Sequence, residues 1–342
     1  MLQTYRRSNY SASNCVHRYL FFFPHSPNYS ISSNTNTSTA PKAIGNSFAP
    51  GGQWFPQNRT RELYYDNATI PRPYNESLMY SKLPRFFHRA ERAGRSRWEE
   101  RFETDVQYQM AMKNYYSLVT EVDEACRDIV QELEAQGILN ETLIIFTTDN
   151  GMFLGEHGLA GKWYPYQESI RVPLIIRDPR MPKALHGTLN DALTLNIDLQ
   201  ATILDAAGLA PPIQSQGRNI ADLYLPTADE KHAVDGSSTA ESTEATVTTT
   251  TSSSNSRRLE NNPWRTEFFY EFPLDMTTSM PMSSAVVRKD LKYIHWPQFH
   301  YSQLFNLTED PLEMNDLRKH PEYQEVMQEL KDRHDDLIQQ VK

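Results

Sequence analysis

The chain has 342 residues, of which 39% are hydrophobic, and its 34 Lys+Arg against 43 Asp+Glu give a formal net charge of −9. At about 150 residues per domain, this length favours two domains. An acidic balance argues against general binding to nucleic acids or anionic membranes, which needs a basic surface. The 2 cysteines are too few for a disulfide scaffold, and no apolar run approaches the roughly 18 residues of a membrane span. Composition therefore predicts a soluble, globular enzyme or binding protein.

Two polar tracts dilute the apolar residues. Residues 1–38 are rich in Ser, Asn, Thr and Tyr, and residues 227–262 contain the run SSTAESTEATVTTTTSSSNS. Such segments have almost no apolar surface to bury, so nothing offsets their ordering entropy and we expect them to be disordered. The predicted segments are an atypical N-terminus (1–38), a partial α/β domain (39–226), a disordered insertion (227–262) and a C-terminal unit (263–342).

Between these tracts the apolar pattern is that of an α/β protein. Apolar residues recur at spacings of 3 and 4 over residues 104–135, which predicts one amphipathic helix that ends before Gly137,. Residues 143–147 and 172–176 are short apolar runs typical of strands buried on both faces, and residues 195–207 form a second amphipathic helix,. A helix that leads into a buried strand, repeated along the chain, predicts a largely parallel sheet with helices packed on it.

The C-terminal residues have a different pattern. Three short strands with tight turns are predicted at 285–289, 291–296 and 303–307, which together indicate a small antiparallel sheet,. A polar amphipathic helix is predicted from residue 321 onward.

The compartment is indicated by six matches to the Asn-x-Ser/Thr glycosylation pattern. This density favours the secretory pathway, with an extracellular or lysosome-like location, although the apolar run 19–23 is not a convincing signal peptide,. The six acceptor positions are Asn28, Asn58, Asn67, Asn75, Asn140 and Asn306.

The most informative segment follows the predicted strand 143–147. Asp149 and Asn150 stand where that strand ends, which is where ligands bind in open α/β sheets,. Their oxygen atoms are hard ligands that suit Ca²⁺ or Mg²⁺. Four glycines between positions 151 and 161 allow tight turns and a close approach to a bound anion, and Lys162 adds a cation at the end of the loop,.

A set of motifs in a fixed order gives a resemblance. The chain resembles the sulfatase family of the alkaline-phosphatase-like superfamily, and especially sulfatases that act on sulfated sugars, over residues 40–342 except for the Ser/Thr-rich insertion. The motifs are Thr-Asp-Asn-Gly (148–151), Gly-Glu-His-Gly (155–158), Gly-Lys-Trp (161–163), the run 168–176, and the C-terminal runs 264–271, 287–295 and 304–311.

The resemblance implies a fold and a set of roles. The fold would be a large α/β domain with a central, mixed, mostly parallel sheet flanked by helices, plus a small C-terminal domain with an antiparallel sheet. Asp149 and Asn150 would be two ligands of one divalent cation, usually Ca²⁺, with Mg²⁺ possible. Lys162 would bind a sulfate oxygen and offset the charge that develops during catalysis. His157 would either contact the catalytic groups or the substrate, or order the loop. The substrate would be a sulfate ester of a polysaccharide or glycosaminoglycan.

Three features of the family are missing from this sequence. Sulfatases act through a formylglycine made from Cys in a Cys-x-Pro-x-Arg motif, and neither Cys15 nor Cys126 lies in one,. The early Asp-Asp metal pair is also absent. Where the family has a substrate-facing His, this chain has Lys42 or Gly45, so Lys42 is predicted to bind substrate; His25 is an alternative, displaced copy.

These departures leave three interpretations open. The first is a sulfatase whose N-terminal catalytic portion, with the formylglycine loop, is missing through truncation or a wrong gene start. The second is a catalytically inactive, sulfatase-like protein that binds glycans, and the third is a phosphodiester or phosphonate monoester hydrolase of the same superfamily. Ca²⁺ prefers about 6–8 oxygen ligands, so this chain alone should bind it weakly, and without the nucleophile it should be inactive. The sequence leaves the oligomeric state open.

Overall fold

The structure is a computed structural model that describes residues 21–24, 54–88, 93–225, 263–273 and 280–341. A short strand, β1 (Phe21–Pro24), is the part of the 1–38 tract that it describes. The rest of that tract and the Ser/Thr-rich tract 227–262 lie outside the described residues. The four segment boundaries therefore stay a prediction.

The first half of the described chain is helical. Its longest helix has Thr104 as N-cap, whose hydroxyl accepts the Gln107 N–H at 3.2 Å, while the Gln107 side chain accepts the Thr104 N–H at 2.9 Å. This capping box satisfies two backbone donors that would otherwise lack partners, and the helix predicted at 104–135 is confirmed,. The four helices are α1 (Asn58–Tyr64), α2 (Glu76–Met79), α3 (Ala93–Phe102) and α4 (Asp105–Ala135).

A three-stranded sheet with the order β1-β2-β5 joins β1, which precedes the helices, to two strands that follow them. The elements that build and interrupt it are β2 (Thr142–Thr147), β3 (Phe153–Leu154), β4 (Ala160–Gly161), a one-turn helix α5 (Gln167–Ile170) and β5 (Leu174–Arg177). The two predicted strands are therefore present and adjacent, but only β2 is largely buried. The prediction that both are buried on both faces is wrong for β5, where Ile175 is 63% exposed.

The direction of their pairing differs from the sequence-based expectation. A largely parallel sheet was expected, but β2 pairs antiparallel with both β1 and β5. Thr147 at the end of β2 lies opposite Leu174 at the start of β5, and the Thr147 hydroxyl donates to the Pro173 carbonyl at 2.8 Å. The chain therefore re-enters the sheet at the same edge at which β2 ends. The segment between β2 and β5 is a loop with one helical turn, whereas parallel pairing would need a longer crossover connection.

The next helix is α6 (Asp198–Ala206), which confirms the helix predicted at 195–207. Its first residue, Asp198, is fully buried and is ion-paired with Arg265, which lies just before the C-terminal sheet. The Asp198 carboxylate also accepts the backbone N–H groups of Leu195 at 2.7 Å and Arg218 at 2.8 Å. One buried carboxylate therefore joins three separate stretches of chain.

The C-terminal residues form a four-stranded antiparallel sheet in chain order, as predicted, with one strand more than the sequence indicated. The missed strand is β6, within a run that carried the family resemblance. The strands are β6 (Glu267–Phe272), β7 (Ser283–Arg288), β8 (Leu291–Trp296) and β9 (Tyr301–Asn306), and the chain closes with helix α7 (Gln324–Val341).

Side chains of this sheet alternate between two apolar clusters, because successive residues of a strand point to opposite faces. Val286, Tyr293 and Leu304 pack with Leu330 of α7. The opposite face packs against aromatic residues of the first half of the chain. That larger cluster includes Ala285, Val287, Ile294, Trp296 and Phe305 together with Phe86, Phe87, Phe153, Tyr164 and Tyr166. The C-terminal sheet therefore supports the segment that runs from β3 to α5.

Candidate active site

The loop after β2 carries the two predicted metal ligands. Asp149 is exposed, and its Oδ1 accepts the backbone N–H of Asn150 at 3.0 Å. The Asn196 side chain donates to the Asp149 carbonyl at 3.1 Å, which fixes the backbone of the loop. At Gly151, an added Cβ would lie 2.1 Å from the Glu168 carbonyl oxygen, so the close approach of these two segments requires glycine,.

Lys162 lies beside this pair. Its Nζ donates to Asn150 Oδ1 at 2.8 Å, and it is held there by a loop in which Gly161 and Trp163 both have positive φ, of 102° and 85°. The backbone of Trp163 is fixed by two hydrogen bonds, since its N–H donates to the Ser169 hydroxyl at 2.9 Å and its carbonyl accepts the Tyr270 hydroxyl at 3.0 Å. The structure therefore brings three predicted site residues together.

The donors at this position match a hard divalent cation in kind but not in number. Asp149 offers a carboxylate and Asn150 an amide oxygen, which are ligands that Ca²⁺ and Mg²⁺ prefer. Asn150 Oδ1 already accepts from Lys162. Over the ranges described between residues 54 and 341, no group of three or more His, Cys, Asp or Glu side chains is placed to hold a metal ion. These two residues can thus supply only part of a coordination sphere.

His157 lies inside the loop. Its side chain is fully buried, with the ring stacked on Tyr166 at 4.8 Å and edge-on to Phe153 at 5.8 Å. Its Nε2 lies 3.4 Å from Glu168 Oε1, which is long for a hydrogen bond,. This packing favours the loop-ordering role over direct contact with a substrate.

The pKa of the largely buried Glu168 carboxyl is lowered by its neighbours. Burial has the largest influence and would raise the pKa of this carboxyl, but the contact with His157 and the charges of His157 and Lys292 together lower the pKa below its usual value. Its backbone carbonyl is the atom that approaches Gly151. The carboxylate and the site loop therefore belong to one packed unit.

A buried ion pair fastens this unit to the C-terminal sheet. Lys292 Nζ lies 2.7 Å from Glu313 Oε1, with both side chains fully buried, and it also donates to the Pro165 carbonyl at 3.0 Å. Glu313 Oε2 accepts the Gln167 N–H at 2.6 Å. Burial lowers the pKa of Lys292 and raises the pKa of Glu313, against the opposing influence of each partner's charge.

Other predicted residues lie outside the described residues, namely Lys42, its alternatives Gly45 and His25, and Cys15. Cys126 lies on α4, where it is half-buried. Burial, with the nearby charge of Asp123, raises the pKa of this thiol. A raised pKa reduces the fraction of reactive thiolate, so Cys126 does not have the environment of a nucleophile.

An arginine beside the Lys162 loop, and a second arginine on the same helix, were not identified from the sequence. Arg97 lies on α3 with its Cζ 4.8 Å from the centroid of the Trp163 ring, and Lys162 Nζ is 5.6 Å from the same centroid. Arg101 follows one helical turn later. Their spacing of four residues is visible in the sequence, but it does not show that α3 packs beside the site loop.

Comparison with protein families identifies the chain. A family model described as Sulfatase matches residues 33–209, more than half of the chain. The chain belongs to the sulfatase family. A second model, described as the C-terminal part of N-sulphoglucosamine sulphohydrolase, matches residues 247–340, which contain the antiparallel sheet and α7. The family predicted from the motifs is therefore confirmed.

Relatives and solved structures agree with this family. The chain is 30% identical over 227 residues to an N-acetylglucosamine-6-O-sulfatase of Bacteroides thetaiotaomicron, covering 65% of this chain and 35% of that protein. A solved structure of a protein in complex with its substrate D-glucosamine-2-N,6-O-disulfate superposes with a TM-score of 0.64 and 22% identity, covering 84% of this chain and 63% of the other. The phosphonate monoester hydrolase of Agrobacterium radiobacter superposes with a TM-score of 0.58 and 22% identity, covering 81% and 52%.

These likenesses confirm the alkaline-phosphatase-like α/β fold with its C-terminal antiparallel sheet. The chain spans about a third of the length of the first relative. An extracellular sulfatase SULF-1 homolog of Drosophila melanogaster is 38% identical over 105 residues, covering 30% of this chain and 9% of that protein. Among the described helices, none is both long and apolar enough to cross a membrane.

Proposed function

We propose that the full-length protein is a sulfuric ester hydrolase and that this chain contributes part of its sulfate-binding site. The observation that carries the proposal is the contact between Lys162 Nζ and Asn150 Oδ1 at 2.8 Å, next to the exposed carboxylate of Asp149. It places one cation and two hard oxygen donors at a single point, on residues that match the motifs of the family.

Asp149 and Asn150 would hold a divalent cation, for which we propose Ca²⁺. A bound divalent cation polarises an oxygen of the ester and stabilises the charge that develops on it. Lys162 would donate from Nζ to another sulfate oxygen, and because Asn150 Oδ1 already orients this ammonium group, little rearrangement would be needed,. Trp163, whose backbone is fixed at both ends, would keep Lys162 in place.

The covalent step of the family needs a formylglycine, and neither cysteine of this sequence lies in the Cys-x-Pro-x-Arg motif from which it is made. We propose that this chain binds sulfate esters and that their cleavage requires that formylglycine. The sequence around Cys126 supports this, since Cys126 is followed by Arg-Asp-Ile-Val and does not lie in a Cys-x-Pro-x-Arg motif. His157 is assigned to ordering the loop, and Lys42 remains a proposed substrate contact.

The proposed substrate is a sulfate ester of a sugar within a polysaccharide or glycosaminoglycan. This rests on a relative named as an N-acetylglucosamine-6-O-sulfatase and on a structural neighbour bound to a disulfated glucosamine. A secretory or extracellular location is proposed with it, with glycosylation at the exposed acceptors Asn58, Asn67 and Asn140. The acceptor predicted at Asn75 is wrong for the folded chain, since this residue is buried. A binding protein without catalysis is the alternative if the full-length protein has no nucleophile.

Binding of glucosamine 6-sulfate to the chain, measured by calorimetry with and without Ca²⁺, tests the site. Lys162→Ala should weaken binding by about ten- to a hundredfold, because a hydrogen bond to a charged group contributes about 1.5–3 kcal/mol. Lys331→Ala removes the same charge from an exposed position on α7 and should leave binding unchanged. Equal affinity of the Lys162→Ala variant and the unmodified chain would contradict the proposal.

A second candidate function is phosphonate or phosphodiester hydrolysis, which the structural likeness to a phosphonate monoester hydrolase favours. Asp149, Asn150 and Lys162 suit any tetrahedral oxyanion. Turnover by the full-length protein of an aryl sulfate against an aryl phosphonate, in the presence of Ca²⁺, separates the two functions. Faster turnover of the phosphonate would reverse the assignment.

A further inference from the structure

Two arginines without an anionic partner in the described part of the chain lie on α3, and one of them, Arg97, lies beside the loop of the proposed sulfate site. Arg97 and Arg101 are four residues apart on α3, so their side chains lie on one face of that helix,. Neither has a carboxylate or a hydrogen-bond partner among the described residues, and Arg101 Nε is buried without one. An unpaired, partly buried guanidinium is unfavourable in a folded protein, so each of these side chains keeps donors that an anionic group can accept from.

Arg97 is placed directly against the loop that holds Lys162. The Cζ of Arg97 lies 4.8 Å from the centroid of the Trp163 ring, and Lys162 Nζ lies 5.6 Å from the same centroid. Both cationic groups therefore lie close to one indole ring. An added Cβ on Gly161 would approach Arg97 Nη1 to 3.0 Å. Glycine at this position therefore leaves room for the guanidinium next to the site.

The pair is close enough for mutual repulsion. Burial lowers the pKa of Arg101, and the charge of Arg97 lowers it further, while the neighbouring Glu100 acts weakly in the opposite direction. Glu100 itself is exposed. Two like charges held together in this way are stabilised by an anion between or beside them.

Another arginine of the same helix shows the contrast. Arg95 stacks on Trp98 at 3.8 Å, donates to the Gly158 carbonyl at 3.2 Å and pairs with Glu99 at 3.3 Å. Its charge is thus used within the protein. Arg97 and Arg101 differ from Arg95 because each packs on an aromatic ring without an ion pair to any residue that the structure describes. Arg97 lies over Trp163, and Arg101 lies over Trp54.

We propose that Arg97 and Arg101 form a second anion subsite, which binds a further sulfate or carboxylate group of the sugar whose sulfate ester is held by Lys162. The inference rests on the proposed function of Lys162. A guanidinium binds such planar or tetrahedral anions through two parallel hydrogen bonds, and this geometry gives selectivity as well as affinity. The subsite would therefore make the protein prefer sugars with two anionic groups over sugars with one.

The test compares glucosamine 6-sulfate with glucosamine-2-N,6-O-disulfate by calorimetry at fixed ionic strength. The unmodified chain should bind the disulfate at least tenfold more tightly. Arg97→Ala should weaken the disulfate by about ten- to a hundredfold and leave the monosulfate within about twofold. The Arg97→Lys variant keeps the charge but loses the two-bond geometry. Its affinity for the disulfate should therefore lie between those of the unmodified chain and the Arg97→Ala variant.

The control is Arg127→Ala on α4, which removes an equal charge from an exposed arginine paired with Asp128 at 2.7 Å, and it should bind both ligands normally. If Arg97→Ala retains the preference for the disulfate, or if the unmodified chain shows none, the subsite is refuted while the proposed function stands. If neither ligand binds, or if Lys162→Ala changes nothing, the proposed function fails and the subsite with it. Circular dichroism of each variant establishes that it is folded.

Discussion

The ion pair between Lys292 and Glu313 should be among the most sensitive points of the structure. Both side chains are fully buried, and Lys292→Met would leave a carboxylate inside the protein without its cation. Removing one member of a buried pair costs about 3–5 kcal/mol of unfolding free energy. The hydrogen bond from the Gln167 N–H to Glu313 would remain, so the loss should lie within this range rather than above it.

The loss should depend on pH in a defined direction. Burial raises the pKa of Glu313 above its usual value, and the charge of Lys292 opposes that rise. Without Lys292 the pKa should rise further. A carboxyl group whose pKa is raised by folding stabilises the folded state at pH values below its unfolded pKa of about 4.5. This contribution is lost as the pH rises through the pKa of the folded state. The Lys292→Met variant should therefore become less stable between about pH 5 and pH 8, relative to the unmodified chain.

Urea unfolding followed by tryptophan fluorescence measures both effects. The double variant Lys292→Met with Glu313→Gln keeps an acceptor for Gln167 but has no buried charge, so it should lose less than the single variant. Lys289→Met is the matched control, since Lys289 forms an exposed pair with Asp191 at 2.9 Å and should contribute less than about 1 kcal/mol,. A loss below about 1 kcal/mol for Lys292→Met, or an equal loss at both ends of the pH range, would refute the reasoning.

Two further predictions concern other contacts of the loop and its support. Asp198→Asn weakens the buried pair with Arg265 and should lower the unfolding free energy by about 3–5 kcal/mol in thermal unfolding; a change below about 1 kcal/mol would show that the pair is dispensable,. Gly151→Ala places a Cβ 2.1 Å from the Glu168 carbonyl, so the loop must move and its amides should exchange faster with deuterium. Gly137→Ala is the control, because an added Cβ there meets nothing within 4 Å and only the positive φ of 72° opposes the substitution. If the site loop also exchanges faster in the Gly137→Ala variant, the steric explanation is contradicted.

Local features of the fold could be predicted from the sequence. The helix α4 has a continuous apolar stripe and a capping box, and β8 has the predicted bounds of 291–296. The direction in which β5 pairs with β2 could not be predicted. An apolar run indicates a strand, but the direction of its pairing depends on the path of the intervening chain, and here that path returns through a loop so that the strands pair antiparallel.

The site was predictable to the extent that its residues are close in sequence. Asn150 and Lys162 are 12 residues apart in one glycine-rich loop, so a motif could bring them together. Arg97 and Arg101 are on a different element, whereas Lys292 is on a strand of the C-terminal sheet and Glu313 is in the segment after β9. Their relation to the loop depends on packing between distant parts of the chain, for which a single sequence holds no direct signal.

The order of the C-terminal strands has a consequence for folding kinetics. Each strand from β6 to β9 pairs with its neighbour in the chain, so the sheet is built from contacts of short range and can form early,. The bonds that hold the site segment to that sheet join residues 127 to 146 positions apart, at Pro165, Tyr166 and Gln167. Because such distant contacts carry a larger loop-closure entropy, we expect the sulfate-binding loop to be among the last parts of the chain to become ordered. Refolding followed by pulse-labelled hydrogen exchange should protect β7 and β8 before residues 165–167.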